Sequence, residues 1–300
     1  LTCINGLAMT PEVHDFHLPA AGGVAGIHAG TGPPLLLVHS VNAAASVAEM
    51  RPLFELWQNR RSVFAADLPG FGASNRARRV YTPRLMTDAL LATVEHIRSV
   101  CGTAPVDALA LSTGCEFLAR AASERPGHFG RLALVSPTGF RGLKAWRGAP
   151  GSTRFMPTLH RVLSQPLWAG ALFRGLTRPR VVRYFLEKTW GSKAIDEQMW
   201  RASVQAARAP GAEHAPLYFL SGGLFSADIL SVYESLTQPV WASHGTRGDF
   251  TDYRGLVHLH GRPHWQFTTY ECGALPYFEQ PARFDQAFTD FLAGPPLQQA

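Results

Sequence analysis

The sequence predicts an α/β fold, a mostly parallel doubly wound sheet with an inserted helical segment. Three observations predict it. Strand-like and helix-like stretches alternate through the first half of the 300 residues, and helices covering both faces of a parallel sheet produce that rhythm. Residues 35–38, Leu-Leu-Leu-Val, are continuously apolar, as in a strand buried on both faces. The alternation breaks at Ser136-Pro137-Thr138-Gly139 and resumes at Gln238. The intervening segment is therefore an insertion whose two flanks close on one sheet.

Taken in order, residues 13–18 and 24–29 flank Pro19-Ala20-Ala21-Gly22-Gly23 and read as a hairpin, the turn being supplied by proline and glycine. Residues 46–57 read as a helix, and 62–68 as a strand running into Asp67-Leu68-Pro69-Gly70-Phe71-Gly72. Pro83 suits a first helical turn, and Met86, Leu90, Val94 and Ile97 then share one face. Residues 106–111 read as a strand, 114–123 as a helix and 132–135 as a strand. A mostly helical pattern follows, in which 217–224, apolar with Gly222-Gly223, reads as a hinge or strand-like return. Strand patterns resume at 239–245 and 266–272. The final helix follows Pro281, with Phe284, Phe288, Phe291 and Leu292 at helical spacing. The predicted division is 1–140 with 236–300 for the sheet domain and 141–235 for the helical insertion.

Hydrophobic residues make up 46% and charged residues 17%, which supplies a core and argues against disorder. No apolar run reaches the roughly 18 residues of a membrane span. Leu1 to Met9 lacks a basic n-region and an apolar h-region, so no signal peptide is expected, and Met9 stands as a candidate native start. Cys3, Cys101, Cys115 and Cys272 fit neither a zinc nor a disulfide pattern and read as reduced thiols of a cytoplasmic protein. The net charge of +6 is unevenly spread: Arg141 to Lys193 holds eleven Lys or Arg and one acid, Glu187. A solvated basic face is the plain reading, and a platform for an acidic substrate or an anionic surface the sharper one. No recognition motif accompanies the charge, so nucleic acid is not an expected partner.

The most informative junction is Ala110-Leu111-Ser112-Thr113-Gly114, between a predicted strand and a predicted helix. Residues two before and two after a nucleophile at such a turn are small because the strand and helix backbones nearly touch there. The helix N-terminus that follows favours developing negative charge. The segment resembles the nucleophile elbow of the α/β-hydrolase superfamily, with alanine for its first glycine. The likeness spans nearly the whole chain. Leu36-Leu37-Val38-His39-Ser40 looks like the family's apolar strand ending in His-Gly, with Ser40 for glycine. Asp67-Leu68-Pro69-Gly70-Phe71-Gly72-Ala73-Ser74 closely matches its structural Asp-x-Pro-Gly-x-Gly-x-Ser segment. The resemblance implies Ser112 as nucleophile and the backbone N–H groups of Val41 and Thr113 as oxyanion hole.

The family's acid follows the strand after the insertion, which points to Asp249 in His244-Gly245-Thr246-Arg247-Gly248-Asp249, with Asp252 second. The plain alternative is a turn-capping aspartate. The family's histidine belongs in the turn after the last strand, Glu271-Cys272-Gly273-Ala274-Leu275-Pro276, where Ala274 occupies its position and Tyr277 is the nearest polar ring. Alanine cannot take a proton from Ser112, and a serine hydroxyl without a base is a weak nucleophile. Among substitutes His244 ranks first, ahead of His39, whose counterpart is usually structural, and of His160 and His214 in the insertion. His258, His260 and His264 precede the last strand, at the wrong end of the sheet. Their short spacing suggests a metal site, but surface histidines are the plain reading and no metal is expected there. Three functions stay open: a hydrolase of carboxylic esters or related acyl substrates with a rebuilt or incomplete triad; a lyase or isomerase using the anion pocket; or a catalytically dead binding protein. The expected partner is a small, largely apolar molecule, an acidic group on it facing the insertion's arginines. Phe155, Met156, Leu159, Leu163, Leu167, Trp168, Leu172 and Phe173 supply the apolar surface. No phosphate loop, Gly-x-Gly-x-x-Gly or metal cluster is present, so no cofactor is expected.

Overall fold

The computed structural model describes residues 11–294, so Cys3 and the candidate start at Met9 lie outside the described residues. Eight strands form one sheet: β1 (His14–Leu18), β2 (Val24–Ala29), β3 (Pro34–Val38), β4 (Ser62–Asp67), β5 (Val106–Leu111), β6 (Phe129–Val135), β7 (Val240–Gly245) and β8 (Trp265–Tyr270). α1 (Arg51–Trp57), α2 (Pro83–Cys101) and α3 (Gly114–Glu124) join the strands of the first half. Six helices lie between β6 and β7: α4 (Pro157–Leu163), α5 (Ala169–Leu176), α6 (Pro179–Trp190), α7 (Glu197–Ala206), α8 (His214–Leu220) and α9 (Ile229–Glu234). α10 (Pro276–Glu279) and α11 (Pro281–Ala293) follow β8.

In space the strands run β1-β2-β4-β3-β5-β6-β7-β8. The β1–β2 and β2–β4 pairs are antiparallel and all the others are parallel. Strand alternation divides the core. Leu36, Val38, Ala108, Ala110, Leu132 and Leu134 face one layer with Met86, Leu90, Val94, Phe117 and Tyr233. Leu35, Leu37, Leu109, Leu111, Ala133 and Val135 face the other, with Leu53, Trp57, Phe284, Phe288 and Phe291. The period of two along each strand sends successive side chains to opposite layers.

Two predicted elements differ. Residues 46–57 are a short 3-10 turn at Val47–Met50 and then α1. Ser46 caps the turn by accepting from the Ala48 N–H, and Pro52 can only stand in a first helical turn, so α1 restarts there. Residues 217–224 form no strand-like return: Leu217 to Leu220 finish α8, and Gly222, at φ 79°, turns the chain beyond it. Pro216 lies in α8's first turn, where its missing N–H costs nothing. The insertion's neck is a pair of strand-like segments. The Gly148 N–H donates to the Ala227 carbonyl, that of Ala227 to Ser152, and that of Arg154 to Phe225. Its last helix, α9, packs Ile229, Leu230 and Tyr233 into the core, so the layer covering the sheet resumes before residue 236.

Candidate active site

Ser112 stands between β5 and α3 at φ 53°, one of two non-glycine residues with positive φ among those described. Such a conformation costs about 1–3 kcal/mol and persists only where its surroundings enforce it. They do. The Ser112 N–H donates to Val135 at 2.8 Å, and its carbonyl accepts from the Cys115 N–H at 3.0 Å. Gly114 explains the spacing: a Cβ there would lie 2.4 Å from the His39 carbonyl oxygen. This contact also brings the loop after β3 against the start of α3. Val41 and Thr113 are both buried, and among the described residues neither N–H has a protein acceptor. Buried N–H groups are rarely left unpaired.

Ser40 takes the place of a glycine without needing left-handed backbone, since Ser112 and Ser136 alone carry positive φ among the described non-glycine residues. Its N–H and hydroxyl both donate to the buried Glu49 carboxylate, at 2.7 and 3.0 Å, and Asn42 donates to the same group at 2.8 Å. The Asp67 segment braces this loop. The Asp67 carboxylate accepts from the Val47 and Ala73 N–H groups, and a Cβ at Gly72 would fall on it. His39 is locked: Nε2 accepts from the Leu68 N–H at 2.9 Å, so Nδ1 carries the proton donated to the Ser40 carbonyl. Neither nitrogen is free to act as a base.

Leu111 pairs with Val135 and Val135 with Ser243. Ser112, Ser136 and His244 therefore form a row across three adjacent strand ends. Ser136, at φ 47°, donates its hydroxyl to the Ala274 carbonyl at 2.7 Å and its N–H to Ser243 at 2.6 Å. Burial holds the Tyr253 phenol well above its ordinary pKa. His244 stacks on Tyr253, ring centroids 4.0 Å apart, and its Nδ1 lies 3.1 Å from the Gly245 carbonyl. A carbonyl only accepts, so Nδ1 holds the proton and Nε2 keeps its lone pair. Burial lowers the pKa of this ring below 6.5, so it is neutral at pH 7.

Ala274 is buried under the end of α6, its N–H donating to the Thr189 carbonyl at 2.9 Å. A Cβ at neighbouring Gly273 would lie 2.5 Å from the Trp190 Cα. Tyr277 is occupied elsewhere, donating to the Glu49 carbonyl at 3.0 Å. The Asp249 side chain is exposed and pairs with Lys188 at 3.5 Å, beside a surface cavity of about 390 Å³ lined by Tyr184, Ser192 and Lys193 among others. Its carboxylate accepts no hydrogen bond from the turn that carries Ala274, among the described residues. Asp252 accepts from the Gly142 N–H and from Arg254, whose hydrogen bonds hold it well below the usual carboxylate range. His160 packs on Tyr218, the rings tilted with centroids 4.0 Å apart, and burial lowers its pKa. His214 opens α8. His258, next to Leu143, and His260, against Phe267, do not come together with His264 as a metal-binding set among the described residues.

Sequence reasoning missed Glu116, in the first turn of α3. It is fully buried and accepts from the Thr138 hydroxyl at 2.5 Å and the Ser226 N–H at 2.8 Å. Arg154, sandwiched between Trp146 and Phe225, approaches it to 4.0 Å. Desolvation raises its pKa despite these partners. Only its place one turn after the elbow was a signal, because its partners stand 22 and 110 residues away. Above the loop after β3, Phe173, Ala207 and Ala212 of the insertion pack on Ala43 and Ala44, an apolar roof.

No family model and no curated protein matches the sequence. Solved structures match over nearly the full length. A meta-cleavage product hydrolase from Pseudomonas fluorescens superposes with TM-score 0.69 at 18% identity, over 93% of this chain and 97% of that one. A carboxylesterase from Bacillus subtilis gives 0.70 at 18%, over 95% and 93%. An epoxide hydrolase gives 0.70 at 20%, over 94% and 99%. The strand order, the strained serine between β5 and α3 and these superpositions agree: the chain has the α/β-hydrolase fold.

Proposed function

We propose that the chain is a hydrolase of carboxylic esters or related acyl substrates, with Ser112 as nucleophile and His244 as a rebuilt base. The observation that carries this is Ser112 held at φ 53°, supported by the Val41 and Thr113 N–H groups having no acceptor among the described residues and by Gly114 packing against the His39 carbonyl. Ser112 Oγ attacks the substrate carbonyl carbon while His244 Nε2 takes its proton through bridging water, the two backbones being about 10 Å apart across two strand spacings. The oxyanion is held by the two N–H groups. Collapse expels the alcohol, which takes the proton back, and water then hydrolyses the acyl-enzyme with the same ring as base. The Gly245 carbonyl and the Tyr253 ring do for His244 what the acid does in a triad: they fix tautomer and plane. Asp249 enters as the carboxylate that orients a ring restored at residue 274. Its exposed pair with Lys188 is weak enough to exchange. The apolar roof supports a largely apolar substrate, with the helical insertion as lid. The neighbouring structures, by their names, act on esters, epoxides and meta-cleavage products, and bring only the fold to this reading.

A second reading is favoured by one observation. The turn at Ala274 is closed by α6 through Thr189, which suits a non-hydrolytic catalyst or a binding protein using the same anion pocket. A fluorophosphonate probe and an activated ester separate the two. On the hydrolase reading the native chain labels at Ser112 and turns over the ester slowly, Ser112→Ala abolishes both, and Ala274→His raises both together. Absence of labelling in the native chain and in Ala274→His moves the second reading ahead.

A further inference from the structure

α4 is amphipathic in an unusual sense, because two of its apolar side chains, Leu159 and Val162, point outward. At about 100° per residue, Leu159 and Val162 fall within roughly 60° of each other, while His160 lies some 160° from Val162. His160 faces inward against Tyr218 of α8. The chain then turns through Pro166 and Leu167 to Trp168, whose indole N–H donates to the Val162 carbonyl at 2.9 Å. That bond lays the indole against the end of α4. Leu159, Val162, Leu167 and Trp168 thus form one projecting patch, respectively 36%, 52%, 88% and 46% exposed.

The segment that carries this patch has charge of one sign. Arg141 to Leu186 contains no acidic residue. Some basic residues of the insertion are paired: Arg147 with Glu234, Arg183 with Glu197, Lys188 with Asp249. Arg161 on α4, Arg174 on α5 and Arg178 and Arg180 at the start of α6 are exposed, and none has an ionic partner among the described residues. From this combination we propose that the tip of the insertion docks on an anionic lipid bilayer. A bilayer reads positive charge without demanding fixed geometry, and a projecting leucine and an anchored indole insert at the headgroup boundary. A second copy of the chain is a poor occupant, since a two-fold contact would set arginines against arginines. The inference is independent of the chemistry at Ser112.

The experiment is cosedimentation of the full chain with vesicles of phosphatidylcholine alone or with one third phosphatidylserine, at low and high salt. The proposal expects binding to the serine-containing vesicles only, weakened by salt. Arg174→Gln and Arg178→Gln each reduce it roughly fivefold, and Leu167→Ser with Trp168→Ser reduces it further. The Arg174, Arg178 and Leu167 side chains are exposed and without hydrogen-bond partners among the described residues, so thermal melting of those single variants should match the native chain. No binding to anionic vesicles at low salt overturns the proposal, as does equal binding to both vesicle types. A dimer in ultracentrifugation that Leu167→Ser dissolves, without lipid binding, assigns the patch to a second copy instead.

Discussion

At the scale of single residues, three imidazole positions differ in what their nitrogens are already doing. His39 spends both on the backbone, and residue 274 has no ring at all. His244 spends one on Gly245 and is kept neutral by burial. The depressed pKa sets the pH dependence. Only the neutral ring accepts a proton, so kcat/KM for ester hydrolysis should rise with pH through a value below 6.5 and then stay level to pH 8. His244→Ala should lose about 10²- to 10⁴-fold and abolish that rising limb. A limb at or above 6.5, or one that survives the substitution, assigns the base elsewhere. The same shift acts on folding. Below pH 6.5 the unfolded chain binds the proton before the folded one does, so His244's contribution to stability is constant above 6.5 and falls as the medium is acidified.

At the scale of elements, the elbow is where strand and helix backbones come closest, and Gly114 is its test. Alanine there places a Cβ 2.4 Å from the His39 carbonyl, so backbone has to move. Gly114→Ala should cost about 1–3 kcal/mol in urea denaturation and slow labelling of Ser112. Gly127→Ala, where a Cβ meets nothing within 4 Å, should fall within about 0.5 kcal/mol of the native chain. Equal effects of the two would remove the close approach as the reason for glycine. This junction was legible in the sequence because a steric rule leaves a local trace, small residues two before and two after Ser112. The strands were legible as apolar runs for the same reason. The helix predicted over 46–57 broke because Pro52 and the Ser46 cap outweighed the apolar period. The helical assignment of 217–220 was hidden by glycines that act only at the turn beyond it. Asp249's pairing and Glu116's partners were not legible at all, since each depends on a segment that only the folded insertion brings close.

At the scale of the whole molecule, α3 joins the strand that ends at Ser112 to the insertion through buried ions. Arg120 makes a two-point pair with Asp228, which also accepts from the Gly151 N–H. One turn earlier Glu116 accepts from Ser226 on one side of the neck and faces Arg154 on the other. Both sides of the neck are thus tied to the helix that begins beside Ser112. The Glu116 tie is held under strain, because desolvation raises its pKa above 4.5. Between 4.5 and that raised value the unfolded chain has released the proton and the folded chain still holds it. Stability should therefore fall as pH rises through this window and level off once the buried carboxyl ionises. Glu116→Gln retains an acceptor for the Ser226 N–H and a donor for the Thr138 hydroxyl while removing the ionisation. In urea denaturation from pH 4.5 to 8 this variant should match the native chain at the acidic end and gain on it as pH rises. Glu116→Ala leaves both groups without a partner and should cost about 1–3 kcal/mol throughout. If the native and glutamine curves stay parallel, Arg154 compensates the buried charge fully, and the neck is held by an ion pair rather than by the two hydrogen bonds.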